Sequence, residues 1–383
     1  MTRWFDRWVP ELFIVTVFVL TAFGALMTYS SSVFFAQEIY HNRLHFFYRE
    51  MLWIGVGIGA AGIMMNVHYQ ALERWSWLLL VLATGALLLV YVPGLGRPVN
   101  HALRWIRIGP FSFQPSEFAK YALVIFVAAR LTRHRRHIEH FMPGVFLPLL
   151  LAGLPLGLAL IEPDLGTPAV IGFTLLLMCF AAGARLRYFV ELVLAAVPAV
   201  GALIWMFPYR MKRIFIYLNP DSDPLGAGFQ INQSLIAVCS GQLHGVGLGR
   251  SVQKSFYLPE AHTDFIYAII GEELGFVGAG CLLAGFIVLL YLMYRLTRQI
   301  DDMFGHLVVT GIMTMIGLQT MINIGVVTAL LPTKGIALPF ISYGGSSMIG
   351  TLAACGLVLN IVYNQHNLRS TQTLARPLAH AVA

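Results

Sequence analysis

The sequence predicts an all-α integral membrane protein, a polytopic bundle of about ten transmembrane helices. Of the 383 residues, 58% are hydrophobic and 11% are charged, whereas soluble domains contain roughly 45–50% apolar and about 25% charged residues. The mean hydropathy is +0.73, and the apolar residues form runs long enough to cross a bilayer, which takes about 20 residues. A soluble globular protein is therefore excluded.

Ten apolar stretches follow one another along the chain, each bounded by charged residues, proline or glycine. We interpret each as one helix. The stretches are residues 11–30, 51–67, 77–93, 115–131, 144–161, 167–183, 187–207, 264–294, 304–330 and 340–363. The flank after the first stretch lacks a small-x-small cleavage step, so we expect it to stay as an anchor and not to be removed as a signal peptide.

Basic residues at the ends of the stretches orient the bundle. A cytoplasmic N-terminus satisfies the positive-inside rule. The arginines that then lie inside are Arg74, Arg130, Arg133, Arg135, Arg136, Arg185, Arg187, Arg295, Arg298, Arg369 and Arg376. Both tails, 1–10 and 364–383, are accordingly expected in the cytoplasm. The net charge of +7 reflects this orientation and not a nucleic-acid-binding patch.

We expect one transmembrane domain over residues 1–383, because no repeat, low-complexity tract or appended soluble domain is visible. The four cysteines form no CxxC or Cys/His spacing, so neither a disulfide framework nor a zinc site is indicated. Two longer segments, 94–114 and 208–262, fall on the side opposite the termini.

The segment 208–262, between the seventh and eighth stretches, is too long for a simple connection. It is rich in glycine, and irregular backbone over a bundle is tolerated where protein or water satisfies it. The composition fits equally an extracytoplasmic loop that binds or reacts and an ordinary solvated loop. Its charged residues are Arg210, Lys212, Arg213, Asp221, Asp223, Arg250, Lys254 and Glu260.

Ionisable residues in or beside the apolar stretches cost about 2.5–3.5 kcal/mol each, so they are functional candidates by default. Glu117 and Lys120 lie three residues apart, on one helix face where opposite charges neutralise each other. A purely structural ion pair is the alternative, and we favour a dual role. Glu162 and Asp164, at the outer end of the fifth stretch, are further candidates.

Asp264 opens the eighth stretch directly after His262 and Thr263. A carboxylate there can act as a general base, and the structural alternative is helix N-capping, for which Asp is a preferred residue. Glu272 and Glu273 follow two turns further along. We assign these two a structural role, buried against basic side chains or facing water.

The basic groups of the long segment suit an anionic ligand such as a pyrophosphate, and Arg213, Arg250 and Lys254 suit it best. These external basic groups, together with the few buried carboxylates of a membrane bundle, indicate an anionic lipid substrate. No GxSxG or SxxK motif on a plausible element supports serine nucleophilic catalysis. These residues do not distinguish a flippase from a lipid-linked transferase.

Four long blocks carry a resemblance to a known family. They are WIRIGPFSFQPSEFAK (105–120), EPDLGT (162–167), GVGLGRSVQKSFYLPEAHTDFIYAIIGEELG (245–275) and LLPTKGIALPFISYGGSS (330–347). In this order, over nearly the whole chain, they resemble the SEDS family of peptidoglycan polymerases. PTKG and YLPEAHTDF resemble its cell-division branch, FtsW, more than its elongation branch, RodA. His101 and Cys239 stand where relatives usually carry small residues.

The resemblance implies a glycosyltransferase that polymerises lipid II at the outer face of the cytoplasmic membrane, for septal wall synthesis at the division site. Asp264 matches the family's catalytic carboxylate, and Glu117 and Lys120 match its ion pair. Lys334 and Ser342 lie in the last block as supporting residues. The resemblance also implies a class B penicillin-binding protein as partner, which crosslinks the glycan and activates the polymerase, together with other division proteins.

The implied reaction fits this set of residues. The acceptor 4-hydroxyl attacks the anomeric carbon and undecaprenyl pyrophosphate leaves, so direct displacement inverts that centre. One carboxylate suffices as base, while Arg, Lys or a divalent cation neutralises the leaving group. Mg²⁺ or Mn²⁺ would suit, with Glu117 as a candidate ligand. The alternatives are a lipid II flippase, which typically shows internal repeats, and a non-catalytic division scaffold.

Overall fold

A computed structural model describes residues 2–99, 102–108, 111–161, 166–206, 211, 215–219, 222 and 226–381. In chain order its helices are α1 (Thr2–Tyr40), α2 (His45–Asn66), α3 (Tyr69–Arg74), α4 (Ser76–Leu89), α5 (Pro115–Arg133), α6 (Leu147–Ile161), α7 (Gly166–Ala181), α8 (Leu186–Met206), α9 (Ala227–Ser240), α10 (Ile266–Thr297), α11 (Met303–Val327) and α12 (Gly345–Ala381). A 3₁₀ turn (Arg135–His137) and a π turn (Met142–Phe146) precede α6.

The predicted all-helical membrane bundle is confirmed, since each of the ten apolar stretches coincides with a helix. Within the described ranges, five spans are long and apolar enough to cross a membrane by length and composition: Trp8–Tyr40, Met142–Leu160, Ile266–Thr297, Met303–Val327 and Gly345–His366. The helices α4 and α7 are shorter apolar helices. The chain is a multi-pass membrane protein.

The predicted stretches 304–330 and 340–363 extend beyond the observed helices, the first at its C-terminal end and the second at its N-terminal end. The helix α11 ends at Val327 and α12 begins at Gly345, so residues 328–344 form an irregular loop. Pro332 and Pro339 lie within that loop and disfavour helical backbone before and at their own positions. This loop, called the 328–344 loop below, becomes part of the candidate site.

The segment 94–114, which the sequence places on the side opposite the termini, contains a small antiparallel sheet. Its strands are β1 (Gly96–Val99), β2 (Ala102–Ile108) and β3 (Phe111–Phe113), in the order β1-β2-β3. Ile106 faces Gly96 on one side and Phe113 on the other. Aromatic and β-branched residues in β2 favour this structure. The sheet leads directly into α5.

Close helix contacts depend on glycine. A side chain at Gly356 of α12 would stand 2.3 Å from the carbonyl oxygen of Ala61 in α2. At Gly311 of α11 it would stand 2.6 Å from Val124 in α5 and 2.7 Å from the Met178 sulfur in α7. Small residues let membrane helices approach closely and gain packing contacts. The core of the bundle accordingly surrounds α5, most of whose side chains are buried.

The helix α10 is interrupted at Gly275, whose φ of 68° and ψ of −168° are not helical. Such a break frees backbone groups that need other partners inside a membrane protein. The Phe276 N–H donates to the Gln242 carbonyl (2.8 Å), and the Val246 N–H donates to the Glu272 carbonyl (2.9 Å). The break therefore attaches the segment after α9 to the side of α10.

Candidate functional site

Two irregular segments meet beside the start of α10, the 241–265 loop and the 328–344 loop. The Tyr343 N–H donates to the His262 carbonyl over 3.1 Å. The buried side chain of Asn323, in α11, donates to the carbonyl oxygens of both Asp264 and Ile336, each over 2.8 Å. One amide thus joins the two loops at the residue that the sequence predicts to be catalytic.

Asp264 is half-buried and lies just before α10. The N-cap position of α10 is occupied by Phe265, so Asp264 lies two residues before the helix and the N-capping alternative does not hold. A side chain at Gly335 would stand 2.8 Å from Asp264 Oδ2. Glycine at that position therefore lets the carboxylate lie against the backbone of the PTKG segment, next to Lys334.

Glu117 and Lys120 form an ion pair in the first turns of α5, with Nζ and Oε2 2.7 Å apart. The lysine side chain is fully buried and the glutamate nearly so. The next residue, Tyr121, shares a 3.1 Å hydrogen bond with Thr351 of α12. The pair that the sequence predicts is therefore present, and it sits where α5 packs against the start of α12.

The remaining predicted groups differ in their surroundings. Arg250 is exposed and Lys334 is half-buried. Ser342 is buried, and its hydroxyl accepts a 2.8 Å hydrogen bond from the Leu338 N–H, which shapes the 328–344 loop. Outside the described residues lie Glu162, Asp164, Arg210, Lys212, Arg213, Asp221 and Asp223.

Lys254 is buried, and its Nζ lies 2.6 Å from Oε1 of Glu273. The same ammonium lies 5.7 Å from the centre of the Phe34 ring. In this structure the charge of Lys254 is therefore compensated inside the protein by Glu273. The structural role assigned to Glu273 agrees with this burial against a basic side chain.

An aromatic cluster surrounds His262, two residues before Asp264. Its ring centre lies 5.3 Å from that of Phe35, 5.0 Å from Phe46 and 5.9 Å from Tyr343. Burial lowers the pKa of His262 from its ordinary value, with the opposing charge of Glu260 only partly offsetting the shift. The imidazole is therefore held in its neutral form.

Sequence reasoning missed two residues near this cluster. Glu50 of α2 is fully buried. The backbone of Gly344 lies beside its carboxylate. Within the described part of the chain, neither carboxylate oxygen makes a well-formed hydrogen bond. Its signal was an acidic residue at the edge of the 51–67 stretch. Asn323 carried no signal, because a single amide in an apolar stretch does not reveal which distant carbonyls it meets.

Comparison with known proteins gives consistent matches. The FtsW/RodA/SpoVE family model, described as cell cycle protein, matches residues 10–367. Stage V sporulation protein E of Bacillus subtilis is 46% identical over 356 residues, covering 92% of this chain and 96% of that protein. A probable peptidoglycan glycosyltransferase FtsW of Geobacter sp. (strain M18) is 41% identical over 343 residues, covering 90% of this chain and 94% of its own length.

Solved structures share the fold. One chain comes from work described as structural coordination of polymerization and crosslinking by a peptidoglycan synthase complex. It aligns with a TM-score of 0.77 at 29% identity, covering 92% of this chain and 97% of its own. The rod shape determining protein RodA of Thermus thermophilus aligns with a TM-score of 0.67 at 27% identity, covering 92% and 96%.

Proposed function

This chain belongs to the FtsW/RodA/SpoVE family of cell cycle proteins, the SEDS family, and from that premise we propose that it is a peptidoglycan glycosyltransferase. Its substrate in this proposal is lipid II, polymerised into glycan strands at the outer face of the cytoplasmic membrane. The observation that carries the proposal is the placement of Asp264. Its backbone is held by Asn323, and its half-buried carboxylate lies against Gly335.

In the proposed reaction, Asp264 accepts the proton of the acceptor 4-hydroxyl as that oxygen attacks the anomeric carbon. A new glycosidic C–O bond forms while the bond to the pyrophosphate oxygen breaks. The electron pair of the broken bond leaves with undecaprenyl pyrophosphate. Because attack and departure occur on opposite faces, the anomeric centre inverts.

The leaving pyrophosphate needs cationic partners, since charge develops on it in the transition state. Lys334 is next to the glycine that contacts Asp264, and Arg250 is exposed on the 241–265 loop. We assign this role to these two together with Arg213. A guanidinium would add bidentate geometry that an ammonium lacks.

A divalent cation such as Mg²⁺ or Mn²⁺ stays a prediction without a defined site. Glu117, its candidate ligand, faces the Lys120 ammonium at 2.7 Å, so a metal ion there would have to displace an existing cation. In the ranges that the structure describes, no three His, Cys, Asp or Glu side chains converge as ligands. In the proposed displacement, the chain's own cations neutralise the leaving pyrophosphate.

We further propose a partner and a location. The related complex is described as coordinating polymerization and crosslinking, which supports a class B penicillin-binding protein as partner, with other division proteins at the division site. Both termini would lie in the cytoplasm. Because a relative at 46% identity is named for stage V of sporulation, wall synthesis during sporulation is the second setting for the same chemistry.

Reconstitution of the purified protein with lipid II tests the proposal. Glycan strands from the wild type and none from Asp264→Asn are expected. Movement of lipid II across vesicle membranes without polymer would instead indicate a flippase. Neither activity, with division partners still bound, would indicate a scaffold.

A further inference from the structure

A closed triangle of buried polar groups fixes the 241–265 loop against α1 and α10. The Lys254 Nζ donates to Glu273 Oε1 over 2.6 Å and lies 3.3 Å from Ser30 Oγ. The Ser30 hydroxyl donates to the other oxygen, Glu273 Oε2, over 2.6 Å. The exposed fractions of the Lys254 and Glu273 side chains are 2% and 0%. These charges are therefore paired and withdrawn from solvent.

Glu272, the neighbouring carboxylate, holds the same loop through a second set of bonds. It accepts from the Ser251 hydroxyl and, over 2.9 Å, from the Val252 N–H. The Ser251 oxygen in turn accepts from the Lys254 N–H over 3.2 Å. Glu272 therefore holds the turn 251–254 through Ser251 and Val252, and Glu273 holds it through the Lys254 side chain.

The backbone adds a third connection at the break in α10. The Gly247 N–H donates to the Glu273 carbonyl over 3.0 Å. A side chain at Gly245 would stand 2.1 Å from that same carbonyl oxygen, and φ at Gly245 is 80°. Glycine is therefore required for this close approach.

These connections bear on Asp264 because it lies between them in the chain. The turn 251–254 is fixed on one side of Asp264, and Glu272 and Glu273 on the other. The intervening helical residues, Ile266 to Glu273, are all buried and form a stiff piece about 12 Å long at 1.5 Å per residue. Movement of the carboxylates would be transmitted to the start of α10, where Asp264 lies.

We propose that Glu272 and Glu273 are positioning residues for the reaction assigned to Asp264, with Lys254 as the internal counter-ion of Glu273 and not a ligand of the substrate pyrophosphate. The inference rests on the proposed function. Buried ion pairs contribute little net stability compared with apolar packing, so we assign to this one the role of specifying a single arrangement of the loop. Reaction geometry is sensitive to such specification, since a displacement of about 1 Å can reduce rates by about 10²-fold.

The test compares Glu273→Gln, Glu272→Gln and Lys254→Met with Glu139→Gln in the full-length membrane protein. Glu139 is a matched control because its 2.9 Å pair with Arg185 is exposed. Two readouts are needed: kcat and KM for lipid II, and amide hydrogen exchange of residues 241–265. The three test variants should lose about 10²-fold in kcat with KM unchanged, and exchange in the loop should accelerate. The control should match the wild type in both.

Wild-type kcat in the Glu273→Gln protein would overturn the proposal, and so would unchanged hydrogen exchange in all three test variants. A raised KM with unchanged exchange in Lys254→Met would also overturn it, because that result would make Lys254 a ligand of the substrate. If a single variant unfolds, the double variant Lys254→Met with Glu273→Met removes both charges and keeps the comparison. It should fold and still show low kcat, and full activity would exclude positioning. Hydrogen exchange needs no substrate, so a wild type that makes no glycan would refute the proposed function separately.

Discussion

The side-chain amide of Asn323 donates to the main-chain carbonyl oxygen of Asp264 over 2.8 Å, across 59 residues of sequence. The same amide donates to the carbonyl of Ile336 over 2.8 Å. Through these two hydrogen bonds, one buried amide sets the separation of the 241–265 loop and the 328–344 loop. The reactivity assigned to Asp264 therefore depends on a residue in α11 that does not contact substrate in our proposal.

Asp264→Asn should abolish most glycan synthesis. The substitution keeps the size of the side chain and removes its basicity, so the rate should fall by roughly 10²–10⁴-fold, the usual contribution of a general base. The measurement is polymerisation of lipid II by purified protein with matched thermal unfolding. Asp301→Asn, at an exposed position beside α11, is the control and should be silent. If the Asp264→Asn protein polymerised lipid II at the wild-type rate, Asp264 would not be the general base.

Asn323→Ala should impair both stability and turnover. It leaves the carbonyls of Asp264 and Ile336 without their amide donor, which costs about 1–3 kcal/mol for a buried group. Thermal unfolding and kcat measured on the same preparation check this expectation. Asn66→Ala removes an exposed side-chain bond to Gly62 and should change neither quantity. Equal behaviour of the two variants would contradict the role of Asn323.

Single substitutions of Glu117 or Lys120 should destabilise the protein by about 3–5 kcal/mol, because each leaves a buried charge without its partner. Glycan synthesis should fall with stability. The exchanged pair, Glu117→Lys with Lys120→Glu, should recover part of both. Chemical unfolding and polymerisation assays distinguish the cases. A swap that recovers stability but no activity would indicate a specific role for one of the two groups.

Glu50→Met should stabilise the protein by about 1–3 kcal/mol, since it removes buried oxygens that lack well-formed hydrogen bonds and keeps the side-chain length. Thermal unfolding of the purified protein measures the change. Normal folding together with lost glycan synthesis would contradict this expectation and show that the Glu50 carboxylate has a role in the reaction.

Acidification should destabilise the protein through His262. Its pKa is lowered in the folded state because burial disfavours the imidazolium. Below about pH 6.5, the unfolded chain binds a proton that the folded protein does not, so stability falls as pH falls through that value. The loss is at most about 1.4 kcal/mol per pH unit for one group, and it ends below the folded-state pKa. His262→Phe should flatten this part of the plot of stability against pH. An unchanged slope would show that a group other than His262 causes the pH dependence.

The sequence by itself determined the helices of the bundle, because a membrane helix satisfies its own backbone hydrogen bonds and local apolar length decides where it forms. It also singled out Asp264 as a candidate, because ionisable groups are rare at apolar stretches. It predicted the Glu117–Lys120 pair, because residues three apart share one helix face. The sheet at β2 was missed, although its aromatic and β-branched residues carried a local signal.

Only the tertiary structure decided which charged groups are buried and with what. Lys254 looks like a solvated loop cation in sequence, yet its partners are Glu273 and the distant Ser30. Glu50 is buried because α2 lies along α12, and Asp264 is placed by the amide of Asn323. Composition and spacing record local periodicity, whereas desolvation and hydrogen bonding depend on atoms that the fold brings from far along the chain.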